Sequence, residues 1–255
     1  HVEEIKGTKI IASDMVIATL MNFSKSVYSW DIKVEKFGDL IYLDKRDIED
    51  GNDEYVSVDL ESVGENSSKP PQADAEVDSK STTALPINTA LSLMKEATKI
   101  MHSVQNVCVS KDSVQEFDLK HPAQEDEDQT DLPLQGYTYM EWPFGKGRTL
   151  ITRGQLHSFM KKDNDDVNYC NIYAMNQWRF TKAGWSNIDT EKTSIFSQEL
   201  TDNTNRVSKW AIQSMLAGAD IMKILFVARQ KILKNDKHYI MSTSTISTQK
   251  FVDLI

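Results

Sequence analysis

One stretch of this chain, residues 47–85, has a composition that cannot form part of a packed core. From Asp47 to Lys80 there are eleven acidic residues and two basic residues. The stretch is also rich in Ser and Pro and poor in aromatic residues, so burying it cannot offset the entropy lost when it becomes ordered. An insertion of this length in a compact domain is either a disordered linker or a functional lid. Composition alone favours the linker.

The same stretch accounts for the net charge of the chain. The chain has 29 Lys and Arg against 38 Asp and Glu, a net charge of −9. Residues 47–80 hold eleven of the acids and two of the bases, which leaves 27 of each elsewhere. A neutral domain does not attract phosphate backbones by its overall field. Recognition of nucleic acid by this chain therefore requires a shaped pocket.

The helix with the clearest periodicity is predicted between Thr89 and Val107, with Asn88 as its N-cap. Its apolar residues are separated alternately by four and three positions, which places them on one face of a helix. Thr98 and His102 lie one turn apart beside that stripe. The stripe consists of Ala90, Met94, Ala97, Met101, Val104 and Cys108.

Two other helices are predicted nearer the ends of the chain. The first follows Ser13, a suitable N-cap, and covers Met15–Phe23, which is apolar almost throughout. The second runs from 202 or 203 to 216, with Gly218 as its stop signal. Residues 248–255 have the pattern of the start of a further helix.

Alternating or β-branched segments predict the strands of a mixed β-sheet core. Phe144–Gly147 is glycine-rich but lies between two of them, so it is interpreted as a hairpin turn and not as a phosphate cradle. Together the elements predict an α+β fold, a mixed sheet with helices packed on it. The predicted strands cover residues 26–34, 40–43, 136–142, 149–153, 168–175, 194–200, 221–229 and 239–246.

The lack of a long apolar segment and the small number of cysteines indicate the cellular setting that we expect. No window holds 18 consecutive apolar residues, so no membrane span is expected. Cys108 and Cys170 are far apart in sequence, and we expect two reduced thiols in a cytoplasmic protein. The first residue is His1, so we expect the chain to be a piece of a longer protein.

The strand ends offer little for catalysis. Cleavage of a phosphodiester with two metal ions needs several carboxylates held close together. Glu141 and Glu199 are the acids at the predicted strand ends, and the histidines have no ligand spacing. Neither a nucleophile elbow nor a phosphate loop occurs. We therefore expect no catalytic residue, no metal and no cofactor.

The chain has five tryptophans, at positions 30, 142, 178, 185 and 210. Core packing is the usual fate of tryptophan. A second interpretation is a platform for base stacking, to which a methylated, cationic base would add a cation–π interaction. The spacing of the tryptophans does not separate the two interpretations, and core packing is favoured because it is the commoner role.

Several blocks, in the same order along nearly the whole chain, resemble the cap-binding domain of the D subunit of eukaryotic translation initiation factor three. The run Ser26–Ile32, Ser-Val-Tyr-Ser-Trp-Asp-Ile, is the most specific of them. The other blocks are Asp14–Met21, Asp44–Asp47, Glu96–Thr98 with His102, Asn171-Ile172 with Asn176 and Trp178, Lys209-Trp210, Leu216–Gly218 and Val227–Arg229.

The resemblance implies a fold similar to that of the decapping exoribonucleases, in one domain over residues 1–255, without nuclease activity. It implies binding of the 7-methylguanosine cap of selected messenger RNAs. It also implies two kinds of partner, the other subunits of the initiation factor and the small ribosomal subunit. The acidic stretch 47–85 stands where the family has an insert called an RNA gate, which favours the lid. An acidic flap would repel RNA until displaced.

The resemblance also implies which residues line the cap pocket. The family often has Asn where this chain has Met101, which also belongs to the apolar stripe. Simpler roles remain open, such as a helix-dipole contact for Asp14 and strand packing for Tyr28. The residues that match the pocket are Asp14, Val27, Tyr28, Thr98, Met101 and His102.

The nuclease relatives place acids where this chain does not have them. Their Glu-x-Asp motif matches positions held by Gln155 and His157, and their Glu-x-Lys motif matches Glu199-Leu200-Thr201. With one acid left, a two-metal site is not expected. The alternatives are a structural subunit with a vestigial cap pocket and, less favoured, a metal-dependent hydrolase of RNA 5′ ends.

Overall fold

The structure, a computed structural model, describes residues 7–26, 30–45, 90–110, 112–115, 133, 135–162, 166–177, 185, 187–231 and 234–255. The expectations for the acidic stretch 47–85 and for the Asn88 cap lie outside these residues. So do those for Trp178 and for two of the pocket positions, Val27 and Tyr28.

The described part of the chain contains five α-helices and nine strands. The helices are α1 (Asp14–Met21), α2 (Ala90–Val107), α3 (Ile188–Asp202), α4 (Thr204–Leu216) and α5 (Thr248–Val252). The strands are β1 (Thr8–Ser13), β2 (Lys33–Phe37), β3 (Leu40–Asp44), β4 (Gly136–Pro143), β5 (Arg148–Leu156), β6 (Ser158–Lys161), β7 (Val167–Asn176), β8 (Ile221–Lys231) and β9 (Lys234–Ser247).

The strands form two mixed sheets, which confirms the predicted α+β class. The order is β2-β3-β1-β5-β4 in one sheet and β6-β7-β8-β9 in the other. In the first, β1 is parallel to both β3 and β5, while β2 and β4 are antiparallel edge strands. In the second, β7 and β8 are parallel and the outer pairs are antiparallel.

Helix α4 packs against both sheets. Its last residue, Leu216, belongs to the cluster with Ala12 of β1 and Leu150 of β5. Trp210, in the middle of the helix, is 2% exposed and stacks on Tyr173 of β7 with ring centroids 4.8 Å apart. Trp210 therefore has the core role that tryptophan usually has.

The start of α1 and the end of α4 follow the predicted chemistry, whereas Asn203, predicted as a possible cap of α4, makes no side-chain capping hydrogen bond. The Ser13 hydroxyl accepts the backbone N–H of Val16 at 3.3 Å, as an N-cap does. After α4, Gly218 has φ +73° and donates its N–H to the carbonyl of Met215 at 3.1 Å. A positive φ is costly for other residue types, so glycine is the residue that ends α4 here.

The stripe on α2 faces the core, as predicted, and it packs there against the second sheet. Ala97 and Val104 are buried, and Val104 packs with Ile172 of β7 and Val227 of β8. Met101 is partly buried and packs against two apolar clusters. The hairpin turn between β4 and β5 is confirmed by the hydrogen bond from Phe144 N–H to the Arg148 carbonyl, 2.9 Å.

Two strand predictions were wrong or displaced, and two strands were missed. Residues 194–200 lie within helix α3, because only helical rotation brings Ile195, Phe196 and Leu200 against the core cluster that contains Ile188. The strand predicted at 26–34 is displaced, and β2 begins at Lys33. Strand β1, which contains the buried Lys9, and the four-residue strand β6 were missed.

Among the described residues, no helix is long and apolar enough to cross a membrane. Cys108 and Cys170 are both free thiols, as expected. Burial raises the pKa of each thiol above its ordinary value, so both stay protonated at neutral pH.

Candidate cap-binding site

Asp14 joins the start of α1 to the end of β5. Its carboxylate accepts two backbone N–H groups, that of Met15 at 2.6 Å and that of Gln155 at 3.1 Å. The residue is 7% exposed. Burial raises the pKa of Asp14 from 3.8 to about 6, partly offset by the two hydrogen bonds and by the positive charge of Arg153. A desolvated carboxylate of this kind favours a cationic neighbour.

Two residues beyond Gln155, the chain contacts α2. The side-chain amide of Gln105 on α2 lies 3.3 Å from Nδ1 of His157 and 3.3 Å from the carbonyl of Ile172. The N–H of Ile172 donates to the same Nδ1 at 2.9 Å. Two residues of extended chain span about 7 Å. The end of β5 therefore links Asp14 on one side to α2 on the other.

The imidazole of His157 is held neutral in this network. Burial lowers its pKa from 6.5 to about 4, which the hydrogen bond from Ile172 only partly offsets. Since Nδ1 accepts a backbone N–H, the single proton is assigned to Nε2. A neutral imidazole whose Nδ1 is occupied orients Gln105 and β7 and is poorly placed to bind a metal through that nitrogen.

Thr98 and His102 lie on the same flank of α2 as Gln105, because steps of three and four residues bring side chains one above another. Both are partly buried. Burial lowers the pKa of His102 below its ordinary value, so the ring is uncharged at neutral pH. This flank carries a hydroxyl and a neutral imidazole on the helix whose Gln105 contacts His157.

The structure thus places some of the residues predicted for the pocket on elements that are linked through the end of β5. Asp14 reaches Gln155, and the flank with Thr98 and His102 belongs to the helix held by His157. Met101 faces the core clusters instead. Val27 and Tyr28 lie outside the described residues, so their positions stay a prediction.

A buried ion-pair network holds the opposite flank of α2. The guanidinium of Arg229 donates to Glu96 from Nε at 2.6 Å and from Nη2, and His238 Nε2 lies 2.7 Å from Glu96 Oε1. Burial acts to raise the pKa of Glu96, and the hydrogen bonds and charges of the two partners outweigh it, so that the pKa lies below its ordinary value. The partners are 133 and 142 residues away in sequence, so periodicity gave no signal for this network.

The places matched to the acids of the nuclease relatives have a different chemistry here. Gln155 and His157 are engaged in the contacts above. Glu199 lies in α3 and not at a strand end, so the prediction of an acid at the end of a strand was wrong at this position. Among the described residues, no three His, Cys, Asp or Glu side chains are grouped as metal ligands.

Solved structures with a similar fold define the architectural class. Rai1 of Scheffersomyces stipitis matches with a TM-score of 0.51 over 97% of this chain and 55% of that chain, at 11% identity. The same protein in complex with (3'-NADP)+ and calcium ion gives a TM-score of 0.50, at 12% identity over 97% of this chain and 51% of that one. At these identities the likeness is one of fold, and it confirms the fold expected from the resemblance.

The family follows from the sequence. The family model described as eukaryotic translation initiation factor 3 subunit 7 (eIF-3) matches residues 1–255. The chain belongs to this family.

Curated relatives agree with that assignment. The D subunit of eukaryotic translation initiation factor 3 from Nasonia vitripennis is 32% identical over 96% of this chain and 42% of that protein. The D subunit from Aedes aegypti is 30% identical over 96% of this chain and 38% of its own length. The D-2 subunit from Drosophila melanogaster is 32% identical, with 96% and 43% covered. The chain spans about two fifths of the length of these relatives.

Proposed function

We propose that this chain binds the 5′ cap of messenger RNA as part of a subunit of translation initiation factor 3. The 7-methylguanosine base would lie between the start of α1 and the flank of α2 that carries Thr98 and His102. Family membership supports the role in initiation. Binding of the cap is the more specific part of the proposal, and it rests on the residues described next.

The observation that carries the proposal is the desolvated carboxylate of Asp14. Its pKa of about 6 means that the ionised form lacks the solvation it would have in water. The base of 7-methylguanosine is positively charged, and its amino group is a hydrogen-bond donor. A cationic base with donors on its edge would stabilise the Asp14 carboxylate, and an unmethylated guanine would do so less.

The remaining pocket residues have complementary roles in this proposal. Tyr28 would stack on the base or donate its hydroxyl, with Val27 beside it. Thr98 would offer its hydroxyl from α2, and His102 a neutral ring. Met101 packs into the core clusters, so it would support the wall by packing and not supply the hydrogen bond expected of Asn.

We propose further that the chain is not an enzyme. The buried acids among the described residues are Asp14 and Glu96. The first accepts two backbone N–H groups, and the second is bound by Arg229 and His238. Two-metal hydrolysis needs carboxylates free to share ions. The curated relatives are also named as initiation factor subunits.

A structural subunit with a vestigial pocket is the second candidate, favoured by two observations. Both oxygens of Asp14 already accept backbone N–H groups, and Met101 packs into the core. This candidate predicts a folded chain without affinity for cap analogues.

The setting of the proposed function is the cytoplasm. The partners would be the other subunits of the initiation factor complex, as the names of the relatives suggest, and the small ribosomal subunit. The acidic stretch 47–85 would act as a lid, because its charge repels RNA.

The test is calorimetric titration of the 255-residue chain with 7-methylguanosine triphosphate. His102→Ala is expected to weaken binding by about tenfold, corresponding to one lost contact of roughly 1.4 kcal/mol. Ser103→Ala, an exposed position about 100° further round α2, is the matched control and should bind like the unaltered chain. Equal affinity of all three proteins would show that His102 does not contact the cap analogue. If none of them binds it, the structural subunit is favoured.

A further inference from the structure

The edge of the five-stranded sheet carries an aromatic and polar surface that the proposed cap site does not use. β4 is the edge strand and pairs with β5, with Tyr139 opposite Arg153 and Tyr137 opposite Gln155. Side chains alternate between the two faces of a sheet, and cross-strand partners share a face. These four side chains therefore lie on one face, which we call the tyrosine surface.

The tyrosine surface faces away from α4. The intervening residues face the helix: Thr138 Oγ1 donates to the carbonyl of Ala217 at 2.7 Å, and a Cβ on Gly154 would lie 2.3 Å from Ala217 Cα. On the other face, Tyr139 is 66% exposed and Arg153 is also exposed. A large aromatic ring at this exposure on an edge strand is available for contact with a ligand.

Contacts within the surface hold its groups in place. The Arg153 guanidinium lies over the ring of Tyr137, 5.1 Å from its centroid. The side-chain amide of Gln135 donates to the Tyr137 hydroxyl at 3.2 Å, and Gln155 donates in turn to Gln135. The surface thus presents two rings, a guanidinium plane and an amide side by side, with the amide of Gln135 next to them.

The surface is continuous with Asp14. The backbone N–H of Gln155 donates to the Asp14 carboxylate, and the charge of Arg153 lowers the pKa of Asp14. The charge of Asp14 in turn contributes to the raised pKa of Tyr137, which is due mainly to burial. These mutual effects require the groups to be close together.

We propose that the tyrosine surface binds unpaired nucleotides of RNA by base stacking. The proposal rests on the proposed function, because a cap held at Asp14 would deliver the nucleotides that follow it to this surface. Aromatic rings and arginine planes stack on unpaired bases, and amides bond to base edges. Arg153 also supplies a positive charge for a phosphate. Exposed Glu141, on the same face two residues from Tyr139, marks the far limit of the surface, since its carboxylate repels phosphates.

The test compares Tyr139→Ala with Tyr139→Phe by fluorescence anisotropy, using a short uncapped single-stranded RNA. Loss of one stacking ring is expected to weaken binding by about 5- to 150-fold, whereas Phe keeps the ring and should keep the affinity. Tyr139→Ala should leave the affinity for 7-methylguanosine triphosphate unchanged. Glu141→Gln, a control that removes a like charge, should strengthen RNA binding slightly.

The outcomes separate this inference from the cap proposal. If the unaltered chain binds the RNA in a Tyr139-dependent way but does not bind the cap analogue, the tyrosine surface stands and the cap site does not. Unchanged RNA affinity in folded Tyr139→Ala and Arg153→Gln variants would overturn the inference. Equal or better binding of duplex RNA would also overturn it, because paired bases cannot stack on the rings. Absence of RNA binding would also overturn the inference, and a protein would then be the candidate partner of this surface.

Discussion

The carboxylate of Asp14 accepts the backbone N–H of Gln155 at 3.1 Å, across 141 residues of sequence. This bond joins the start of α1 to the end of β5, two residues before His157 contacts α2. Three elements that are far apart along the chain are therefore linked at the end of β5, an internal strand of the first sheet. The proposed cap site depends on this link.

The affinity for 7-methylguanosine triphosphate should fall as the pH is lowered through about 6. Burial raises the pKa of Asp14 from 3.8 to about 6, so lowering the pH from 7.5 to 5 protonates the carboxylate and removes its attraction for a cationic base. The expected loss is about tenfold, measured by calorimetry at each pH. Asp14→Asn should bind weakly at every pH and lose the dependence. An affinity independent of pH in the unaltered chain would exclude the ionised carboxylate from the site.

The stability of the fold should decrease below pH 6.5 because of His157. Its pKa is about 4 in the folded chain against an ordinary 6.5, so the unfolded chain takes up the proton first as the pH falls. The stabilisation is complete above pH 6.5 and is lost between 6.5 and 4, by about 3 kcal/mol. Urea unfolding of the unaltered chain and His157→Gln should show a difference in unfolding free energy that shrinks over this window. A constant difference would contradict the neutral, buried imidazole.

Glu96→Gln should destabilise the fold strongly. The substitution leaves the Arg229 guanidinium, whose side chain is 2% exposed, without its counter-charge. Breaking a buried ion pair in this way costs about 3–5 kcal/mol. The control is Glu35→Gln, which breaks the exposed pair with Lys33 and should cost less than about 1 kcal/mol. Similar urea midpoints for the two variants would show that the network on α2 contributes little to stability.

Gly154→Ala should disturb the packing of α4 on β5. A Cβ at this position would lie 2.3 Å from Ala217 Cα, so the helix has to move, at a cost of about 3 kcal/mol. Gly38 is the matched glycine: it has φ +59° with nothing within 4 Å of a Cβ, and Gly38→Ala should cost about 1 kcal/mol through backbone strain alone. Thermal melting distinguishes the two. Equal effects would mean that α4 is free to shift.

Sequence patterns predicted the elements whose periodicity is complete within one segment. The stripe of α2 and the apolar runs of β7 and β8 are of this kind. β1 was missed because only its position between β3 and β5 explains why a six-residue segment with Lys9 becomes a central strand. In α3, the spacing from Ile188 to Leu200 is helical, but the shorter window 194–200 hides it.

At the candidate site, the sequence indicated single residues but gave no signal for contacts between residues far apart along the chain. The resemblance selected Asp14, Thr98 and His102 by matching blocks, and the structure places Asp14 at the start of α1 and the other two within α2. The bond from Gln105 to His157 joins residues 52 positions apart, and no local pattern signals a buried polar contact of that range. Gln105 was therefore missed, although its place three residues after His102 puts it on the same flank.

The most direct test of the central claim is the selectivity of the chain for the methylated cap. Calorimetry would compare 7-methylguanosine triphosphate with guanosine triphosphate, for the 255-residue chain and for a variant without residues 47–85. The methylated ligand is expected to bind roughly tenfold more tightly, because its positive charge adds a cation–π interaction and an attraction to Asp14. The variant should bind both ligands more tightly, since residues 47–80 carry a net charge of −9 that repels phosphates. Equal affinity for the two nucleotides, or no binding of either by both proteins, would contradict the account.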